Sequence, residues 1–115
     1  MATDVCVPIS RLAECVVATQ RDLAEAGLVA PIVGHVGDGN VHVNVTGVDP
    51  DDESVDDAVF RLATSMGGNI SAEHGIGIAK RRWLSLNRSA AEMETFRSIK
   101  RSLDPVGILN PNVLL

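Results

Sequence analysis

The stretch Gly34-His35-Val36-Gly37-Asp38-Gly39-Asn40-Val41-His42-Val43-Asn44 sets two imidazoles on either side of an Asp-Gly pair. Asp-Gly between two apolar-alternating runs is a strong signal for a two-residue type I′ turn, whose central residues both need φ > 0. With Asp38-Gly39 at the tip, Val36 faces Val41 and His35 faces His42. Paired residues have Cβ atoms roughly 4.5–5.5 Å apart on one face of a sheet. Alternation then puts Asn40, His42 and Asn44 on that face and Val41, Val43 and Val45 on the other. A ligand-rich polar face backed by valines is the layout of a site built on a sheet. Taken alone, the two histidines are also open to a blander reading, a stacked surface pair that only stabilises a hairpin.

A second stretch, Asn69-Ile70-Ser71-Ala72-Glu73-His74-Gly75-Ile76-Gly77-Ile78-Ala79-Lys80, reads as a short strand over 69–73 followed by a helix beginning near Gly77. Glu73 and His74 would then project from a strand-to-helix turn. The glycines permit close backbone approach, and the new helix offers free N–H groups and a positive dipole end. A histidine there would have its imidazolium form disfavoured, leaving a neutral base.

These residues need elements to hold them. Residues 3–8 alternate as a strand ending at Pro8. Ser10 is placed to cap a helix with Leu12, Cys15, Val16 and Leu23 on one face, ending near Gly27. Strands follow at 31–36 and 40–46. Asp49-Pro50-Asp51-Asp52-Glu53 is an acidic helix start leading to Val55, Val59, Leu62 and Met66, stopped by Gly67-Gly68. With the strand at 69–73 the order is β-α-β-β-α-β, the ferredoxin-like pattern of an α+β antiparallel sheet. Two C-terminal helices complete it: a short one with Ile76, Ala79, Trp83 and Leu86, then one opened by the capping box Ser89-Ala-Ala-Glu92. The second carries the apolar stripe Met93, Phe96, Ile99 and Leu103, expected as core, and ends at Asp104-Pro105. One conflict arises from this order. In a 4-1-3-2 sheet, strand one separates the hairpin from the strand bearing Glu73, and two strand spacings are roughly 9–10 Å. Glu73 must lie past the strand end and curl back, or the order differs.

Composition limits the function classes. With 115 residues the chain is expected to be one domain, 1–115, with a single modest core. No run approaches the ~18 uninterrupted apolar residues of a membrane span. Asp4 and the lack of a basic leader argue against a secretory signal, so a cytoplasmic location is expected. With no Tyr and only three other aromatics, nucleic-acid stacking is not expected. The net charge of −5 is uneven. Residues 1–79 carry 12 acids and 3 bases, and residues 80–115 carry 7 bases and 3 acids. Lys80-Arg81-Arg82 reads first as a solvated face, although Lys80 or Arg81 could reach a carboxylate. Cys6 and Cys15 form no CxxC and read as buried reduced thiols. Asp38-x-Asn40-x-His42 lacks the glycine and terminal glutamate of a calcium loop, and Gly34-x-x-Gly37-x-Gly39 is not a dinucleotide fingerprint.

Three blocks in order, His35-x-Gly-Asp-Gly-Asn-x-His42-x-Asn44, Glu73-His74-Gly-Ile-Gly with Lys80, and Asp104-Pro105-x-Gly107-Ile108-Leu109-Asn110-Pro111, resemble the C-terminal region of FAD-linked oxidases. That family includes D-lactate dehydrogenase, the glycolate oxidase flavin subunit and D-2-hydroxyglutarate dehydrogenase. The opening Asp4-Val5-Cys6-Val7-Pro8-Ile9-Ser10 is most similar to the D-lactate dehydrogenase branch. Ala72 stands where glycine is usual, and Asn112-Val113 replaces the common Gly-Lys. The resemblance covers only the C-terminal quarter or so of such an enzyme, so the FAD-binding domain is expected on a missing domain or a partner chain. It implies that His35, His42 and Glu73 hold a divalent metal, zinc or manganese. It further implies that His74 is the base toward a 2-hydroxy acid, that Asn44 lines the substrate pocket and that Asn110 lies by the flavin; Lys80 is expected as a substrate contact from its charge.

Two histidines and a carboxylate leave a metal open positions, as at catalytic sites. An α-hydroxy acid can chelate through hydroxyl and carboxylate while a base takes the hydroxyl proton and hydride leaves Cα for an acceptor such as FAD. Nothing in this chain accepts a hydride. The expected role is therefore the substrate- and metal-binding part of an FAD-dependent D-2-hydroxy-acid dehydrogenase. The alternatives are a non-catalytic remnant or stand-alone metal- or ligand-binding domain, or, more weakly, a metal-dependent hydrolase.

Overall fold

The computed structural model describes residues 2–49 and 51–115, which fall into two compact units divided after Gly75. The first contains β1 (Ala2–Cys6), α1 (Leu12–Glu25), β2 (Ile32–Val33), β3 (Asn40–Asn44) and α2 (Ser54–Ser65). Helices and strands are mixed, and the strands form a three-stranded antiparallel sheet of order β1-β3-β2. Val41, Val43 and Val45 are buried, as are Val5 and Val7, and α2 lays Val55, Val59, Phe60 and Ala63 into the same core, with Met66 buried just past its end. α1 adds Cys15 and Leu23. The alternation in β3 thus divides a dry valine face from a polar one.

The expected strand over 69–73 is reduced to one bridge. Cys6 and Asn69 exchange backbone hydrogen bonds of 3.0 and 2.8 Å, and no further pairing extends it. The reason is local: the Asn69 side chain accepts the N–H of Ser71, a turn that competes with the ladder. Gly68 lets α2 end directly against β1, since a Cβ there would sit 2.3 Å from the Cys6 carbonyl oxygen. Ser10 also departs from expectation. It lies in a 3-10 turn, Ile9–Arg11, and α1 starts without a side-chain cap. Pro50, part of the acidic helix start, lies outside the described residues, and α2 begins at Ser54, where Asp52 accepts the Ser54 N–H.

The hairpin turn is longer than a two-residue loop. His35 and Asn40 exchange backbone hydrogen bonds, and Val36–Asp38 make a 3-10 turn that Gly39 ends at φ +66°. Only Gly39 takes the left-handed conformation; Asp38 does not. The register changes with it: Val33 faces His42 and Ile32 faces Val43. It is displaced by two residues from the expected pairing, so side chains keep their faces while partners change. Gly39 also accepts the Val7 N–H at 2.9 Å, and a Cβ on it would meet the Val7 carbonyl oxygen at 2.0 Å, which docks the loop against the end of β1.

The second unit contains a 3-10 helix, Arg81–Leu86, and α3 (Ala90–Leu103). The helix expected from Gly77 starts late: residues 77–80 form a turn, with Gly75 and Gly77 at φ +71° and +55°, and the 3-10 helix begins only at Arg81. Trp83 and Leu84 are buried. α3 opens with the expected capping box, Ser89 Oγ accepting the Glu92 N–H and Glu92 accepting the Ser89 N–H. Its apolar stripe is not core: Met93 and Phe96 are half-buried, whereas Ile99 and Leu103 are 52% and 76% exposed. Cys15 is buried and Cys6 half-buried, both as free thiols. No helix among the described residues is long and apolar enough to cross a membrane.

Asp104 organises the segment after α3. Its carboxylate pairs with Lys100 and accepts the N–H groups of Ile108 and Leu109, each at 3.0 Å. The hydrogen bond from Lys100 and those two N–H groups hold its pKa at about 2. A carboxyl depressed on folding contributes stability above its unfolded pKa of about 3.9, and that contribution is lost as pH falls through about 2. Asp104→Asn should therefore lower the melting temperature at pH 7 and flatten its decline between about pH 4 and pH 2. Circular dichroism melts of the two proteins across that range check this.

Candidate functional site

The polar face of the sheet assembles a cluster wholly within the first unit. Cross-strand register sets Asp4 opposite His42, Cys6 opposite Asn40 and Ala2 opposite Asn44. Opposed residues share a face, so Asp4, Cys6, Asn40, His42 and Asn44 lie together. After the bridge at Asn69 the chain crosses this face. The Cys6 thiol lies 3.8 Å from the Ser71 carbonyl oxygen, and Asp4 Oδ2 accepts the N–H groups of Glu73 at 2.7 Å and His74 at 3.2 Å. This resolves the conflict over distance, because Glu73 does not extend a distant strand but is drawn back over β1.

The result is convergence. Glu73 Oε1 lies 3.3 Å from His35 Nε2 and Oε2 lies 3.3 Å from His42 Nε2. The His35 and His42 rings meet edge to face, with centroids 6.2 Å apart. One ligand atom from each of His35, His42 and Glu73 lies within 4.8 Å of the others, close enough for the three residues to share an ion. The Asn40 amide nitrogen also lies 3.1 Å from His42 Nε2, so this nitrogen has both an amide and the Glu73 carboxylate within reach. The His35 side chain is 63% exposed and that of Glu73 46%, leaving the group open to solvent.

A second trio, Asp4, His42 and His74, also brings its ligand atoms within 4.8 Å of one another. Asp4 is fully buried and committed to the backbone of Glu73 and His74, whereas the Glu73 carboxylate is spent only on the two imidazoles. An ion is thus better served by His35, His42 and Glu73. His74 stands beside them, its ring centroid 5.2 Å from that of His42. The helix expected to begin beside His74 near Gly77 is not formed there.

Asn44, at the end of β3, is half-buried on the same face. Lys80 and Asn110 belong to the second unit. Lys80 is buried at the start of the 3-10 helix, contrary to the solvated face expected of it, while Arg81 and Arg82 are exposed. Asn110 is exposed at φ +45°. Asp4 is the residue that sequence reasoning passed over. Its signal was an acid amid the alternation of Thr3-Asp4-Val5-Cys6-Val7, on the face that the hairpin makes polar.

The chain is similar to known proteins over nearly its whole length. The model of the family described as FAD linked oxidases, C-terminal domain, matches residues 1–114. Over 99% of its length the chain is 40% identical to the probable mitochondrial D-lactate dehydrogenase of Danio rerio, covering 24% of that protein. It is 36% identical to the mitochondrial D-lactate dehydrogenase [cytochrome] of Arabidopsis thaliana, with 100% of this chain and 21% of the relative covered. Over 68% of its length it is 42% identical to the D-2-hydroxyglutarate dehydrogenase of Stutzerimonas stutzeri, covering 18% of that protein. The chain therefore spans about a fifth of the length of these relatives.

If the trio binds an ion, zinc or manganese titrated into the purified chain should bind with one dominant stoichiometry. His35→Ala, His42→Ala or Glu73→Ala should each weaken binding at least ~10–100-fold, the range seen on loss of even an outer-shell partner. Binding should also weaken in acid, since ligands must be deprotonated. Calorimetry on the three variants is the check, and unchanged affinity in a His35→Ala, His42→Ala double variant would remove the metal assignment.

Proposed function

Because the chain belongs to the family of FAD-linked oxidase C-terminal domains, we propose that it is the substrate- and metal-binding part of an FAD-dependent D-2-hydroxy-acid dehydrogenase acting on a D-lactate-like substrate. The observation that carries this reading is the meeting of His35, His42 and Glu73 with His74 alongside, on a face that also bears Asn44. The names of the relatives supply the substrate class, and their greater length supports an FAD-binding part carried outside these residues.

The division of labour rests on the side chains. His35, His42 and Glu73 hold the divalent ion. When bound, that ion supplies Lewis acidity at the substrate hydroxyl, and FAD supplies the hydride acceptor. His74 takes the hydroxyl proton, and Asn44 orients the substrate by hydrogen bonding. Lys80 is read from its charge as a contact for a carboxylate, and on the family resemblance Asn110 lies by the flavin. The same reading takes the sheet as ferredoxin-like, its fourth strand cut to the Cys6–Asn69 bridge.

Ligation and catalysis separate cleanly in two adjacent residues. In enzyme reconstituted with an FAD-binding part, His74→Ala should keep its metal and lose roughly 10²–10⁴-fold in turnover, the usual worth of a positioned general base. Glu73→Ala should lose metal and activity together. Metal analysis beside D-lactate oxidation reads both. The opposite pattern reverses the roles, and a metal-loaded but inactive reconstituted wild type favours a catalytically silent binding domain.

A further inference from the structure

Asp4 has no exposed surface, yet it is a carboxylate in the middle of a strand. A buried carboxylate is tolerated where donors surround it. Here Oδ2 receives the N–H groups of Glu73 and His74, and Oδ1 lies 3.3 Å from His74 Nδ1. One rigid group thus contacts both the backbone of the turn and the ring it carries. With two backbone N–H groups and an imidazole edge facing it, the carboxylate is placed as an acceptor, and a neutral imidazole meets an acceptor best with its hydrogen on Nδ1. The lone pair is then left on Nε2, the far edge of the ring.

We propose that Asp4 is a positioning residue for His74, holding the ring as the Nδ1–H tautomer so that Nε2 is the proton acceptor, while its other oxygen anchors the turn that presents Glu73. The inference rests on the reading of His74 as the base, but its physical content is a tautomer and can be measured without turnover. A carboxylate behind a ligand or base histidine fixes tautomer and orientation in this way elsewhere. The contribution here is double, because the same side chain also accepts the backbone N–H groups of Glu73 and His74.

Asp4→Asn separates the two tasks. Its amide oxygen can still accept the N–H groups of Glu73 and His74. Its NH₂ then occupies the place of Oδ1 and donates toward His74 Nδ1, which forces the hydrogen to Nε2. Long-range ¹H–¹⁵N spectra of the EDTA-treated chain at about pH 9, where imidazoles are neutral, distinguish the tautomers. With three histidines in the chain, His74→Gln assigns the resonance. Wild type should show Nδ1–H and Asp4→Asn should show Nε2–H. In the reconstituted enzyme kcat should fall ~10²-fold or more, with metal content and KM unchanged. A wild-type His74 protonated at Nε2, or a tautomer indifferent to Asp4→Asn, overturns the proposal. If Asp4→Asn fails to fold, the wild-type spectrum decides alone. A tautomer that switches while both Asp4→Asn and His74→Ala keep full turnover overturns the base reading and leaves the positioning role standing.

Discussion

The Asp4 carboxylate, buried opposite His42 on β1, receives two consecutive backbone N–H groups from residues almost seventy positions away in sequence. A buried charge of this kind costs several kcal/mol if left unpaired, so once the sheet forms, the turn at Glu73 and His74 has one favourable place to go. Glu73 is drawn within reach of His35 and His42, and His74 is placed against both Asp4 and His42. The Cys6–Asn69 bridge brings the second block to the edge of β1, and this contact carries the chain on from there to His42.

The sheet can offer such a face because its other face does the folding. Val5, Val41, Val43 and Val45 are buried with Phe60 and Ile70, and burial of apolar area at about 25 cal/mol per Å² is what a small unit has to offset chain entropy. The polar residues between them are then held by neighbours that never touch the site. Division of a strand by its period of two lets a rigid scaffold and a reactive surface occupy the same five residues. The hairpin loop adds a second constraint, since Gly39 seats against Val7 and so fixes where His35 leaves the sheet.

Much of this was readable from residue types. The hairpin and its polar and apolar faces follow from alternation and spacing, whereas the grouping of His35 and His42 with Glu73 came from the family resemblance, since spacing alone set Glu73 too far away. The turn type did not: Asp38-Gly39 is the pattern of a two-residue loop, but closing the hairpin at His35 and Asn40 lets three residues take a 3-10 turn and confines the positive φ to Gly39. The register error was even-numbered, which is why the faces survived it. Glu73 and His74 were assigned to a strand end because Ile70 and its neighbours have strand-like composition. The Asn69 side-chain turn and the pull of Asp4 are tertiary effects that a local pattern does not carry. The same holds for α3, whose stripe has helical periodicity but remains partly exposed.

Hydrogen exchange at the Glu73 and His74 amides tests the central claim most directly. Both residues have exposed side chains on a turn outside any strand or helix, where amides ordinarily exchange quickly. Bonded to Asp4 Oδ2, they should instead exchange slowly in the wild-type chain. In Asp4→Ala they should become fast while the amides of Val41 and Val43 stay protected. Fast exchange at Glu73 and His74 in the wild type, or protection that survives Asp4→Ala, would contradict the account.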